Sequence, residues 1–442
     1  MSGLSGQDVH VVDRYSSGGK LSAADDQNIS SVLAGIAWTG TNITFSFPTS
    51  STNYGSQTTY GDPAPYNGFS ALTAQQQGEV QRAFNLISSY TNETFSKITE
   101  TDTTHATIRL ANSSSPPTAY AFYPSTDNRG GDVFFGGTGR NPVMGNFDSA
   151  EATLHELGHA LGLKHGQDNN TYGVMNANRL DIEFSVMNYP SYIGSTVGSS
   201  TASTSPQTYM MYDIAALQSM YGANFSQAGQ NNTYTWSSTT GTEYVNGVSQ
   251  GTPVDNHIFE TIWTQGSNST YDLSNFSQNQ VDDMNPGGWM NFSTSQLADL
   301  NAYAPSKPNG KILAQGDIYN ALQYNGDTRS LIDNIITGSG NDTIIGNSAN
   351  NVVDGGGGTN TFVEHGNSTD YTFQVLNNDY IQISDSVKGR DGTDLVKDIQ
   401  YVKFANGTFM MADFVDRAPV GGGLLGVPAA QLQLHANSSP VA

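Results

Sequence analysis

Apolar residues fall into two textures along the chain. In the first half, Ile43, Phe45 and Phe47 alternate with Thr44 and Ser46, the period-two pattern of a half-buried strand. Thr73 followed three residues later by Gln76 forms a capping-box pattern. Val80, Ala83, Phe84 and Ile87 then recur at helical spacing, which predicts a helix to about Tyr90. Short runs at Thr107–Leu110, Ala119–Phe122 and Asp132–Phe135, separated by Pro, Asn and Gly turns, predict strands. A second helix is expected from near Asp148, capped with Glu151, through His159. A third, Met211–Tyr221, places Ile214, Leu217 and Tyr221 on one face. Beyond Ala223 helical periodicity fades, with short helices expected only near Ser295–Ala302 and Gly316–Leu322. Strands are expected at Tyr371–Val375, Tyr380–Ile383 and Tyr401–Phe404.

Between Thr337 and Val363 the chain repeats every nine residues, each unit a Gly/Asn-rich turn followed by a short apolar run. The sixth position of successive units is Asp342, Asn351 and Asn360. Ile344, Val352 and Phe362 are expected to point inward.

Composition narrows the function classes. The chain has 442 residues, enough for two or three domains with proper cores. With no cysteine it has no disulfide framework, no thiol nucleophile and no Cys-liganded metal. A net charge of −22 disfavours nucleic acid and anionic membrane surfaces as partners. No apolar run is long enough to span a membrane, so no membrane insertion is expected. Met1–Lys20 lacks the apolar core of a signal peptide, so any export is expected to bypass an N-terminal signal.

The chemistry concentrates in His155-Glu156-Leu157-Gly158-His159-Ala160-Leu161-Gly162-Leu163-Lys164-His165. On a helix, positions i and i+4 share a face, so His155 and His159 can present imidazoles to one ion. Glu156 lies one residue round, placed to act on water without ligating. Gly162 allows a left-handed exit from the helix that brings His165 back to the same point. Three imidazoles with an open fourth position describe a catalytic zinc site.

This motif resembles the long zinc motif of the metzincin metalloproteases. Ser185-Val186-Met187-Asn188-Tyr189 resembles their Met-turn, with Met187 as an apolar floor beneath the histidines. In the serralysin branch (peptidase family M10) a tyrosine two residues after the Met faces the zinc, and Tyr189 occupies that position. The segments Leu33–Trp38, Ile43–Pro48, Ala119–Phe122, Gly130–Phe134 and Asp213–Asn224 are similar to the same branch. The repeats resemble the calcium-binding RTX repeat, which winds into a parallel β-roll. Turns two units apart would stack, pairing Gly338, Gly340 and Asp342 with Gly355, Gly357 and Asn360 around an oxygen-liganded ion. The sequence departs from the family at Gly166, where serralysins carry proline, and at Thr264 and Ser269, where acidic residues are usual.

The resemblance implies an α+β metzincin catalytic domain, a small twisted, mostly parallel sheet with three helices, followed by an all-β domain with a short parallel β-roll. The expected division is an N-terminal segment 1–28, a catalytic domain 29–224, a β-rich domain 225–418 with repeats at 337–363, and a tail 419–442. The implied function is a secreted zinc endopeptidase acting on extended polypeptides, with one catalytic Zn²⁺ and one or two structural Ca²⁺. Glu156 would be the general base, Tyr189 an oxyanion donor and further zinc neighbour, and Ala119, Tyr120, Ala121 and Phe122 the edge strand beside the substrate. Expected partners are polypeptide substrates and a proteinaceous inhibitor, for a monomeric chain leaving the cell by a type I route. The competing reading is a calcium-binding adhesin or surface-layer component with a vestigial zinc domain.

Overall fold

The computed structural model describes residues 7–101, 104–137, 139–145, 150–195, 204–302, 310–376 and 379–415. The first half is organised by a five-stranded sheet in the order Thr94–Lys97, Asn42–Ser46, Ile108–Asn112, Val133–Phe135, Ala119–Ala121. Four strands run parallel, and Ala119–Ala121 is antiparallel at the edge. Ile43 and Phe45 are buried as the alternation requires.

The helix Ala74–Tyr90 begins on a reciprocal cap: the Gln76 N–H donates to Thr73 Oγ1 at 3.2 Å, and the Thr73 N–H donates to Gln76 Oε1 at 3.0 Å. Its buried face carries Val80, Ala83, Phe84 and Ile87. The Phe84 ring lies 4.7 Å from that of Phe45 and 4.3 Å from that of Phe95, so the helix is fixed across the parallel strands. Each such buried side chain contributes about 1.5–3 kcal/mol. The helices Ala152–Ala160 and Met211–Tyr221 complete the expected set. Asp148 lies outside the described residues, and Glu151 makes no side-chain cap.

Two elements escape the apolar pattern. The helix Ala23–Ser31 is mostly polar, with Ile29 as its one residue in the core, and its signal is a cap, the Asp25 N–H donating to Ser22 Oγ at 3.0 Å. Thr94–Lys97 is an exposed edge strand on which Phe95 alone turns inward. Gly316–Leu322, expected to be helical, contains the strand Ile318–Asn320, paired with Glu260–Ile262 and Trp289–Asn291. Ser295–Ala302 forms turns with isolated bridges. Both stretches are short, and sheet pairing outweighs weak helical periodicity there.

The second half stacks a nine-stranded on an eight-stranded sheet. Successive nine-residue units alternate between them: Thr343–Ile345 and Thr361–Val363 are parallel neighbours in one, while Val352–Asp354 lies in the other beside Asn334–Ile336. Units two apart therefore stack, as expected. The inward residues are Ile344, Val353 and Phe362, nine residues apart. Val352, expected inward, packs on the outer face with Leu376, Tyr380 and Leu395. Adjacent apolar residues on a strand point to opposite faces, and pattern alone does not choose between them.

One core cluster joins the five-stranded sheet and its helices to Phe259, Trp263, Leu300, Tyr319 and Leu322 of the second half. The other lies between the two large sheets. No helix among the described residues is long and apolar enough to cross a membrane.

Candidate active site

The helix Ala152–Ala160 is held near both of its ends by three ring donors. Tyr209 Oη, Trp38 Nε1 and Tyr221 Oη donate to the carbonyls of Leu154, Ala160 and Leu161 at 2.7, 2.8 and 2.6 Å. At Gly162 the chain takes φ +105°, and a Cβ there would stand 2.3 Å from the Ile36 carbonyl oxygen, so glycine is required on both counts. The following loop is pinned by Lys164, 1% exposed, whose Nζ donates to the carbonyls of His165, Asp168 and Gly173.

These constraints bring the three histidines together. His165 Nε2 lies 3.2 Å from His155 Nε2 and 3.0 Å from His159 Nε2. The opposite nitrogens are all engaged as donors: His155 Nδ1 to the Val186 carbonyl at 2.8 Å, His159 Nδ1 to the Leu163 carbonyl at 2.8 Å, and His165 Nδ1 to Asp168 Oδ2 at 3.1 Å. With each Nδ1 carrying its proton, the three Nε2 lone pairs face one another. Burial lowers the pKa of all three, His155 to about 4, so the imidazoles are neutral ligands at pH 7. Two nitrogens of a tetrahedral zinc site, each about 2.0–2.1 Å from the metal, stand about 3.3 Å apart, which is close to the observed spacing. The donor set therefore fits Zn²⁺, and no other cluster of three such groups occurs among the described residues.

Glu156 is 7% exposed, its Oε2 has no hydrogen-bond partner, and burial pushes its pKa up to about 8. Met187 lies under the helix, and Gly158 makes the room: a Cβ there would stand 2.6 Å from Met187 Sδ. The turn carrying Met187 is tied to the closing helix through Asp213, whose carboxylate accepts from Ser185 Oγ at 2.5 Å and from the Val186 and Met210 N–H groups at 2.7 and 3.0 Å. Tyr189, 53% exposed, sets its ring 4.3 Å from that of His165. The edge strand Ala119–Ala121 packs on the histidine helix, and Phe122 continues it with an N–H donated to the Asp132 carbonyl at 2.9 Å. Sequence reasoning missed Asp168, Lys164 and Asp213, and also Tyr123, whose ring lies 5.4 Å from that of His159.

The expected calcium residues also meet, with one change of role. Gly357 N–H donates to the Gly338 carbonyl at 2.8 Å, and Asp342 N–H to Asn360 Oδ1 at 2.9 Å. The Asn360 amide donates to the carbonyls of Gly355, Gly357 and Asp398, occupying oxygens that a cation would use. Asn351 does the same toward Ile332 and Asp333. Asp342 keeps a buried Oδ2 with no hydrogen-bond partner, its Oδ1 accepting from the Gln280 N–H at 2.9 Å. Carboxylate and backbone oxygens in one turn fit a calcium ion at Asp342 better than at Asn360.

A family profile described as Peptidase M66 matches residues 63–250, and one described as the RTX calcium-binding nonapeptide repeat matches 328–362. The array thus begins one unit earlier than the sequence reading, with Asp333 in the sixth position. Metallopeptidase AprA of Pseudomonas marginalis is 28% identical over 241 residues, 50% of this chain and 48% of its own length. Serralysin G of Dickeya chrysanthemi is 29% identical over 237 residues, 49% of this chain and 47% of its own. Serralysin of Proteus mirabilis is 29% identical over 187 residues, 39% and 36% of the two chains. The chain is serralysin-like, with RTX repeats. It spans about half the length of the curated relatives it matches. The histidine triad is thus a three-imidazole cluster able to hold a metal ion, and the repeats match a calcium-binding profile.

Proposed function

We propose that the chain is an extracellular zinc-dependent endopeptidase that hydrolyses internal bonds of extended polypeptides. The observation that carries this reading is the convergence of three Nε2 atoms whose Nδ1 partners are all satisfied. His155, His159 and His165 would hold the zinc, which supplies water activation and polarisation of the scissile carbonyl.

The chain's own groups do the rest. Glu156, raised by burial and with a free oxygen, takes a proton from the attacking water and delivers it to the departing amine nitrogen as the C–N bond breaks. Tyr189 donates its O–H to the oxyanion that develops on the carbonyl oxygen. Asp168 and the Val186 and Leu163 carbonyls fix the imidazole tautomers. Substrate adds as a strand beside Ala119–Phe122, so main-chain bonds supply affinity with loose sequence preference. The proposed working unit is residues 29–224 in a metzincin-type arrangement, with 225–418 as its calcium-bearing, repeat-containing support. Gly162 and Met187 shape the site without contacting substrate.

The likeness to serralysins favours protease over adhesin, and an intact Glu156 is what a vestigial site would not need. Casein hydrolysis with and without a chelator, restored by stoichiometric Zn²⁺, tests the reading. Hydrolysis that persists in the chelator would contradict it.

A further inference from the structure

A cavity of about 520 Å³ opens where the helix Ala74–Tyr90 meets the strands Asn231–Trp236, Glu243–Val245 and Glu260–Ile262. None of the histidines, nor Glu156 or Tyr189, lines it. Glu243, Glu260, Tyr90, Tyr234 and Trp263 do, together with Arg82. Arg82 is already answered: its guanidinium forks onto the Glu79 carboxylate at 2.6–3.1 Å and donates to the Gln207 carbonyl at 2.9 Å.

The two other carboxylates are not answered. Glu260, 3% exposed, accepts the Trp236 Nε1–H at 2.6 Å through Oε1. Among the described residues, its second oxygen and both oxygens of Glu243 have no hydrogen-bond or ion-pair partner. The buried Tyr90 hydroxyl, on the same wall, has none either. Burial, and then the neighbouring Glu260, holds the Glu243 carboxyl well above the ordinary range, and burial holds Glu260 at about 7. Glu260 is buried and Glu243 half-buried, and the cationic side chain on the same wall, Arg82, is already committed to Glu79 and offsets Glu260 only in part. Two carboxylates so placed are costly in an empty cavity and complementary to a cation in a filled one.

We propose that this cavity binds a small organic cation, a guanidinium or primary ammonium on an apolar stem, between Glu243 and Glu260. The volume is that of a small-molecule site and far exceeds a single ion. Two carboxylates offer the acceptors that a planar guanidinium uses in pairs. Tyr90, Tyr234 and Trp263 supply aromatic surface for the charge, and Leu86 an apolar wall for the stem.

Calorimetric titration of the zinc- and calcium-loaded full chain with agmatine at pH 8 tests this. The expected result is one saturable site, weakened at least tenfold both in Glu243→Gln and in Leu86→Trp, which narrows the cavity without altering charge. Casein hydrolysis should be unchanged in both variants. If one variant fails to fold by circular dichroism, the other decides. No saturable agmatine binding, or equal affinity in the folded variants, overturns the proposal. So does loss of a bound calcium ion in Glu243→Gln from a chain that ignores agmatine, which would make the pair a metal site.

Discussion

The histidine triad and the repeat turns are both places where side chains converge on a point, and they resolve that convergence in opposite ways. In the triad every proton is directed outward, to carbonyls of Val186 and Leu163 and to Asp168, leaving three lone pairs turned inward on one another. In the turns of Asn351 and Asn360 the side-chain amide donates inward, onto backbone carbonyls. The first arrangement is incomplete without a cation; the second is complete with an amide. Asp342 stands between, with one oxygen satisfied and one not. The lesson is that a metal motif is read from where its protons go as much as from which residues it contains.

Four changes would break or sharpen this contrast. The largest effect is expected from Glu156→Ala, which should reduce casein hydrolysis by about 10³–10⁴-fold while zinc stays bound, because Glu156 moves the proton and does not ligate. Stopped assays beside metal analysis check both halves. Tyr189→Phe should lower kcat by about 10²-fold with KM nearly unchanged, the signature of a donor used in the transition state. In the repeats, Asn360→Asp removes the amide from three carbonyls and adds a buried charge. Stability without calcium should fall by about 2–3 kcal/mol and return when calcium is added, whereas the parent should respond far less. Urea unfolding in EGTA and in calcium distinguishes them.

The smallest effect concerns Glu151, 4% exposed, whose pKa burial raises to about 7. Because its folded value exceeds its unfolded one, the folded chain keeps a proton that the unfolded chain has lost between about pH 4.5 and 7. Its contribution to stability therefore declines as pH rises through that window. Glu151→Gln should match the parent near pH 4.5 and exceed it above pH 7; parallel pH profiles would refute the assignment.

The parts legible in sequence were those with a period. Helical spacing placed His155 and His159 on one face, the glycine at 162 predicted the return of His165, and a nine-residue repeat announced stacked strands. Position within a short apolar pair was not legible, so Val352 was expected where Val353 lies. Asp168, Lys164 and Asp213 were illegible for a different reason. Each acts from a loop or a separate helix, Lys164 and Asp213 through three hydrogen bonds apiece, and an isolated Asp or Lys carries no spacing signal. The helix Ala23–Ser31 had a cap and a single core residue, Ile29, too little for a period, and Gly316–Leu322 had a weak helical period that strand pairing overrode.

X-ray absorption at the zinc edge of the purified full chain tests the central claim most directly. Three imidazole nitrogens at about 2.0–2.1 Å and one exchangeable oxygen are predicted, with the imidazole count falling to two in His165→Ala. An oxygen-only shell, or a spectrum unchanged by that substitution, would contradict it.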